Sequence, residues 1–210
     1  MEQLLAITIS MQLLRFIAGA LGIISWCSLA LQWVLLKDRI AGAPSMIWSR
    51  YFSYFTIITN CLVTLCYSLW FIFPISQITD PILAIVGTAI NLYIIIVSLV
   101  YYIILRKDSR LSGLHRLVSR VHHGLIPVSY VLIWYYITPM GLVPMSAIAV
   151  MLLLPVLYLI YVLYLGRKNG FYPYPFIDVS RLGFGKVLLN SCLMTLLFAL
   201  LAFLLILLKS

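Results

Sequence analysis

Thr56, the adjacent pair His122-His123 and Asp178 carry the groups from which acyl-transfer chemistry is built. They supply a hydroxyl to attack, an imidazole to take its proton and a carboxylate to orient the imidazole. Histidine titrates near neutral pH and is the usual general base. Two adjacent histidines project about 100° apart on a helix, so only one of the pair readily faces a given neighbour. Ser53, Thr56, Asn60 and Thr64 follow one another at steps of 3, 4 and 4 residues, which puts them on one face of a helix. That stripe reads either as helix packing by small polar residues or as the lining of a site. Asn60, one turn beyond Thr56, carries an amide suited to donate to an oxyanion. No metal or other cofactor is indicated. Cys27, Cys61, Cys66 and Cys192 lack ligand spacing, and His115 and Asp178 add no coherent set.

The elements that must position these residues are membrane helices. The chain has 210 residues, of which 64% are hydrophobic and 9% charged, and its mean hydropathy is +1.13. A soluble domain is roughly half apolar and about a quarter charged, so soluble, disordered and disulfide-rich classes are excluded. At about 35 residues per span and loop, the length holds six spans. The expected fold is all-α, a single six-helix domain over 1–210. The spans are at about 11–36, 51–74, 82–105, 120–138, 145–166 and 186–208. Pro127 and Pro155 are expected to kink their helices. Asn91, near mid-membrane, must find a partner, and an interhelical bond is expected. The first eleven residues carry no positive charge and the run 11–36 is too long for a signal-peptide core, so no cleaved leader is expected; Ala41-Gly42-Ala43, followed by Pro44, is discounted as a cleavage site.

Charge orients the bundle. The net charge is +9. Twelve of the fourteen basic residues fall in three loops: Lys37, Arg39 and Arg50; Arg106, Lys107, Arg110, Arg116 and Arg120; Arg167, Lys168, Arg181 and Lys186. Positive loops stay cytoplasmic, so both termini are expected on the non-cytoplasmic side, and anionic headgroups strengthen the bias. This topology accounts for the charge without nucleic acid. Arg15, near the outer end of the first span, is expected to snorkel outward. Thr56 lies six residues past Arg50, roughly 9 Å deep at the helical rise. His122 and His123 follow Arg120 directly, and Asp178 belongs to the third inward loop. Hydroxyl, imidazole and carboxylate therefore share one level. The segment 170–185, with its aromatics and prolines, is expected to lie ordered at the interface.

Three blocks carry a resemblance: Arg50-Tyr-Phe-Ser-Tyr-Phe-Thr-Ile-Ile-Thr-Asn60; His123-Gly-Leu-Ile-Pro127 with Trp134; and Tyr172-Pro-Tyr-Pro-Phe-Ile-Asp178 with Gly183 and Gly185. Their order resembles the six-helix bacterial branch of the androgen-induced / FAR-17a membrane protein family. Animal members are threonine hydrolases of fatty acid esters of hydroxy fatty acids. The resemblance implies Thr56 as nucleophile, with His123 or His122 as base according to whether the bacterial or the animal spacing to Pro127 is followed. It places Asp178 at the family's acidic position, and its orienting role is inferred here. Ser53, Asn60, Tyr172 and Tyr174 are expected at the substrate, a membrane lipid or fatty acyl ester, in a bacterial inner membrane. The alternative is a non-enzymatic small transporter or lipid-binding scaffold, in which the polar stripe lines a pathway or packs a helix.

Overall fold

The computed structural model describes residues 2–39, 46–73, 78–106 and 111–210, and among them every regular element is helical. Ala41 to Pro44, the outward-loop residues 74–77, Lys107 and Arg110 lie outside the described residues. The long helices are α1 (Glu2–Arg39), α3 (Phe55–Ile72), α4 (Pro81–Val100), α7 (Ala147–Asn169) and α9 (Phe184–Leu208), with short α2 (Ile47–Tyr51) before α3. Helix α4 runs on into a π-turn, Tyr101–Leu105. Helix α5 (Gly113–Arg120) passes through a second π-turn, Val121–Leu125, into α6 (Ile126–Ile137). A 3-10 turn (Pro175–Ile177) and one-turn α8 (Val179–Leu182) order the segment before α9.

Five of these helices are long and apolar enough to cross a membrane: Met11–Asp38, Phe55–Ile72, Pro81–Leu105, Ala147–Asn169 and Phe184–Leu208. The stretch expected as the fourth span, 120–138, lies within the interrupted run Gly113–Ile137. The interruption follows from Pro127. Proline has no N–H, so the carbonyls four and five residues earlier, His123 and His122, lose that donor. The chain widens there into the π-turn. Pro155 does the same inside α7 at Met151, and that helix continues through it.

Helix α4 is the hub. It packs against α3, α6, α7 and α9. Apolar attraction between helices is weak in lipid, so close approach and hydrogen bonds hold the bundle. Between α1 and α3, Gly22 comes up against Tyr67. Ser25 and Thr64 share a hydrogen bond at 2.5 Å, and Trp26 Nε1 donates to Ser68 Oγ at 3.1 Å. Arg15 does not simply reach for solvent. Its Nε and Nη2 donate to the Phe71 and Ile72 carbonyls at the end of α3, at 2.6 and 3.3 Å. Thr64 is thus a packing residue. The Asn91 side chain, expected to bridge helices, has no hydrogen-bond partner among the described residues.

Gly170, in the left-handed region at φ 66°, ends α7 and turns the chain back. The following Tyr172 ring then lies over Gly166, where any Cβ would strike it. We expect Gly166→Val to cost about 1–3 kcal/mol by overpacking. The predicted signature is a lower melting temperature with faster tryptic cleavage at Arg181; an unchanged cleavage rate refutes this docking of the loop.

Candidate active site

The site begins where α3 begins. Ser53, Thr56, Asn60 and Thr64 do not share one helix face as their spacing suggests, because Ser53 lies outside the helix. Chain residues Phe52 to Tyr54 leave helical geometry, and Tyr54 is extended. The cause is tertiary. Tyr158 on α7 donates its hydroxyl to the Ser53 carbonyl at 2.7 Å, taking an acceptor that a continuing helix would have used. Ser53 Oγ turns back to the Arg50 carbonyl at 2.8 Å. The helix therefore restarts at Phe55, and Thr56 sits in its first turn.

A first-turn residue has an N–H with no helical partner, at the positive end of the helix dipole. The Thr56 N–H donates to Tyr174 Oη at 3.3 Å, and the Thr56 hydroxyl lies 3.4 Å from the same phenol. Tyr174 comes from the segment between α7 and α9. Pro173 and Pro175 restrict the chain on either side of it, and Pro175 opens the 3-10 turn. Its ring stacks on Phe176 at 5.3 Å and meets the edge of Tyr54 at 6.0 Å. Burial raises the Tyr174 phenol above its ordinary pKa, and the bonds from Thr56 only partly offset that. It therefore stays protonated at neutral pH, a donor and not a base.

Thr56 and Tyr174 form the polar edge of a cavity of about 90 Å³ between the start of α3, α4, α7 and α9. This is several times the space one water needs. Most of the wall is apolar, with Phe55, Val97, Met194 and Phe198 prominent. Asn190, Ser191 and Thr195 also line it, but each donates to a nearby carbonyl: Asn190 to Phe176 at 2.8 Å, Ser191 to Val187 at 2.8 Å and Thr195 to Ser191 at 2.9 Å. The free polarity is concentrated at Thr56 and Tyr174.

The histidines lie elsewhere. His122, 2% exposed, shares a 3.0 Å hydrogen bond between Nε2 and Ser28 Oγ of α1. His123 Nδ1 donates to the Ser119 carbonyl at 2.9 Å, and its ring stacks on Tyr101 with centroids 3.9 Å apart. Among the described residues neither imidazole bonds to Thr56, and neither lines the cavity. Asn60 links the two regions through its amide, which donates to the Thr56 carbonyl at 2.8 Å and reaches the His122 carbonyl at 3.4 Å. Its amide is thus engaged with backbone, not aimed at an oxyanion. Ser98 of α4 answers the other carbonyl freed by Pro127, that of His123, at 2.6 Å.

Comparison with protein-family models, with curated proteins and with solved structures finds no match. The geometry alone carries the reading of the site.

Asp178 does a local job. Its Oδ1 accepts from the Ser180 and Arg181 N–H groups at 3.0 and 3.2 Å and from the Ser180 hydroxyl, capping α8. Tyr172 covers Gly166 and is not in the cavity wall. Two groups, Ser28 and Tyr158, and the helix break before Phe55 escaped sequence reasoning. Ser28 had a signal, since Ser25 and Ser28 are small polar residues in an apolar span. Tyr158 had none, and the break before Phe55 contains no glycine or proline to announce it. Among the described residues no three His, Cys, Asp or Glu side chains converge on a metal site. As a cap, Asp178 tolerates Asn, while Asp178→Ala is expected to cost about 1 kcal/mol of stability. Thermal melts of both variants check this; equal losses in the two would exclude the capping role.

Proposed function

We propose that this chain is a six-span integral membrane hydrolase of lipid esters, with Thr56 as nucleophile. One observation carries it: a threonine hydroxyl stands beside a buried phenol and a first-turn N–H at the polar edge of an otherwise apolar cavity. The acyl chain occupies the cavity. Thr56 Oγ1 attacks the ester carbonyl, and the Thr56 N–H and Tyr174 O–H donate to the oxyanion. Of the two histidines, His122 is the better base. Both imidazoles are engaged, His122 by Ser28 and His123 by Ser119 and Tyr101, but Asn60 ties only the His122 backbone to that of Thr56. His122 exchanges Ser28 for Thr56 as substrate binds, in keeping with catalytic hydrogen bonds that tighten only in the complex. Water then releases the acyl-threonine.

In this reading the run Gly113–Ile137 is the remaining span and both termini are non-cytoplasmic. Support comes from the twelve basic loop residues. It comes also from contacts that gather one end of the bundle, Ile78 N–H to the Ile137 carbonyl at 3.1 Å and Gly141 N–H to the Lys209 carbonyl at 2.6 Å. The family resemblance adds a fatty acid ester of a hydroxy fatty acid as substrate type and a bacterial inner membrane as location.

A second reading has its own observation. With His122 bonded to Ser28, the resting site has donors for a lipid carbonyl or carboxylate but no base on Thr56, which suits a lipid-binding scaffold. Purified protein in detergent, assayed on a panel of fatty acid esters, separates the two. We expect Thr56→Val and His122→Ala to lose turnover by at least roughly 10²-fold. Tyr174→Phe should lower kcat roughly 10²–10³-fold, with His123→Ala near the parent. Equal turnover in all variants, with fatty acid binding weakened only in Tyr174→Phe, selects the scaffold.

A further inference from the structure

One helical turn beyond Thr56, the protein buries polar groups that nothing answers. Thr59 Oγ1, Asn60 Oδ1 and both polar side-chain atoms of Asn91 are fully buried, without a hydrogen-bond partner among the described residues. Two contacts set the register of antiparallel α3 and α4. Phe55 meets Tyr93 with ring centroids 5.9 Å apart, and Tyr130 bridges Cys66 of α3 and Gly87 of α4. Between these rungs, Asn91 stands level with Thr59 and Asn60. The faces agree as well. Thr59 is one turn from Phe55, on the side that meets α4. Asn91 is one turn from Gly87 and two from Ser98, whose partners lie on α6 and the adjoining π-turn. Asn60 points at the His122 carbonyl of that same π-turn.

We propose that this junction of α3, α4 and the Val121–Leu125 π-turn is an internal hydration site, with ordered water held by Asn60, Asn91 and Thr59. The donor set selects the ligand. Asn60 Oδ1, Thr59 Oγ1 and Asn91 Oδ1 accept, while Asn91 Nδ2 donates. A cation would answer the oxygens and leave Nδ2 orphaned, and an apolar group would answer nothing. Water does both, and buried water is found where otherwise unsatisfied polar groups meet. On the hydrolase reading, on which this step rests, the same water ends the cycle. Its oxygen attacks the acyl carbonyl, the bond from that carbon to Thr56 Oγ1 breaks, one water proton passes through the base to Oγ1, and the fatty acid leaves with the hydroxyl. Arriving past Asn60, the water need not cross the acyl-filled cavity.

An experimental density map that orders water tests the site directly. A peak within about 2.7–3.2 Å of Asn60 Oδ1 and of the Asn91 side chain is expected; the two amides in direct contact with no peak between them overturn it. Asn91→Leu gives an independent readout. Its melting temperature falls if the leucine strands the remaining partners of the water, and rises if it merely removes an orphaned amide; a rise overturns the site. On a chromogenic fatty acyl ester, Asn91→Leu is expected to keep the first-turnover burst and lose steady-state rate by roughly tenfold, about 1.4 kcal/mol. An unchanged steady rate overturns the supply role. Absence of any ester turnover in the parent protein sinks the hydrolase reading instead, while the density and the melts still decide the hydration site.

Discussion

A carbonyl freed inside a bilayer has no water to turn to, and this structure is arranged around that constraint. Pro155 deprives Met151 of its helical donor, and Tyr93 of α4 supplies one at 2.7 Å. Pro127 deprives His122 and His123, and Asn60 of α3 and Ser98 of α4 supply theirs. Each repair is also a tie between helices. Together the three bonds join α3 and α4 to the π-turn, and α4 to α7, in keeping with the central place of α4.

The same logic, run in reverse, makes the candidate nucleophile available. Tyr158 captures the Ser53 carbonyl and so interrupts the helix there. Thr56 then occupies a first turn, with an N–H that has no helical partner and is answered by Tyr174, and a hydroxyl facing a cavity. Had the helix run on unbroken from Arg50, that N–H would have been spent on a helical bond. The Tyr174 phenol fills the role of local partner because the two prolines around it fix how the segment folds over the end of α3.

Polarity in this bundle is sorted by whether it is answered. Ser25 with Thr64 and Trp134 Nε1 with Thr88 Oγ1, the latter at 3.0 Å, pair across helices and build the scaffold. Asn190, Ser191 and Thr195 are answered by backbone and leave the cavity wall effectively apolar. At the cavity edge Thr56 and Tyr174 keep donors or acceptors to offer. One turn on, Thr59 Oγ1, Asn60 Oδ1 and the Asn91 side chain are left without partners among the described residues, as are Trp33 Nε1 and Thr138 Oγ1 elsewhere.

Much of this was legible in the residues alone. Hydropathy is a local property, so the apolar stretches and their boundaries could be read directly, and five of them coincide with helices fit to cross a membrane. The disturbance near Pro127 follows from its missing N–H, and the order of the 170–185 segment from its prolines and aromatics. What the residues could not say depends on partners far away in the chain. Tyr158 lies 105 residues from the Ser53 carbonyl it captures, so the α3 break left no local mark. Ser28 lies 94 residues from the imidazole it holds, and only packing turned His122 toward α1. Asp178, a plausible orienting carboxylate by type and depth, became a helix cap because two N–H groups and a hydroxyl stood within its reach. Residue types named the available chemistry; long-range hydrogen bonds in a medium without water decided which groups meet.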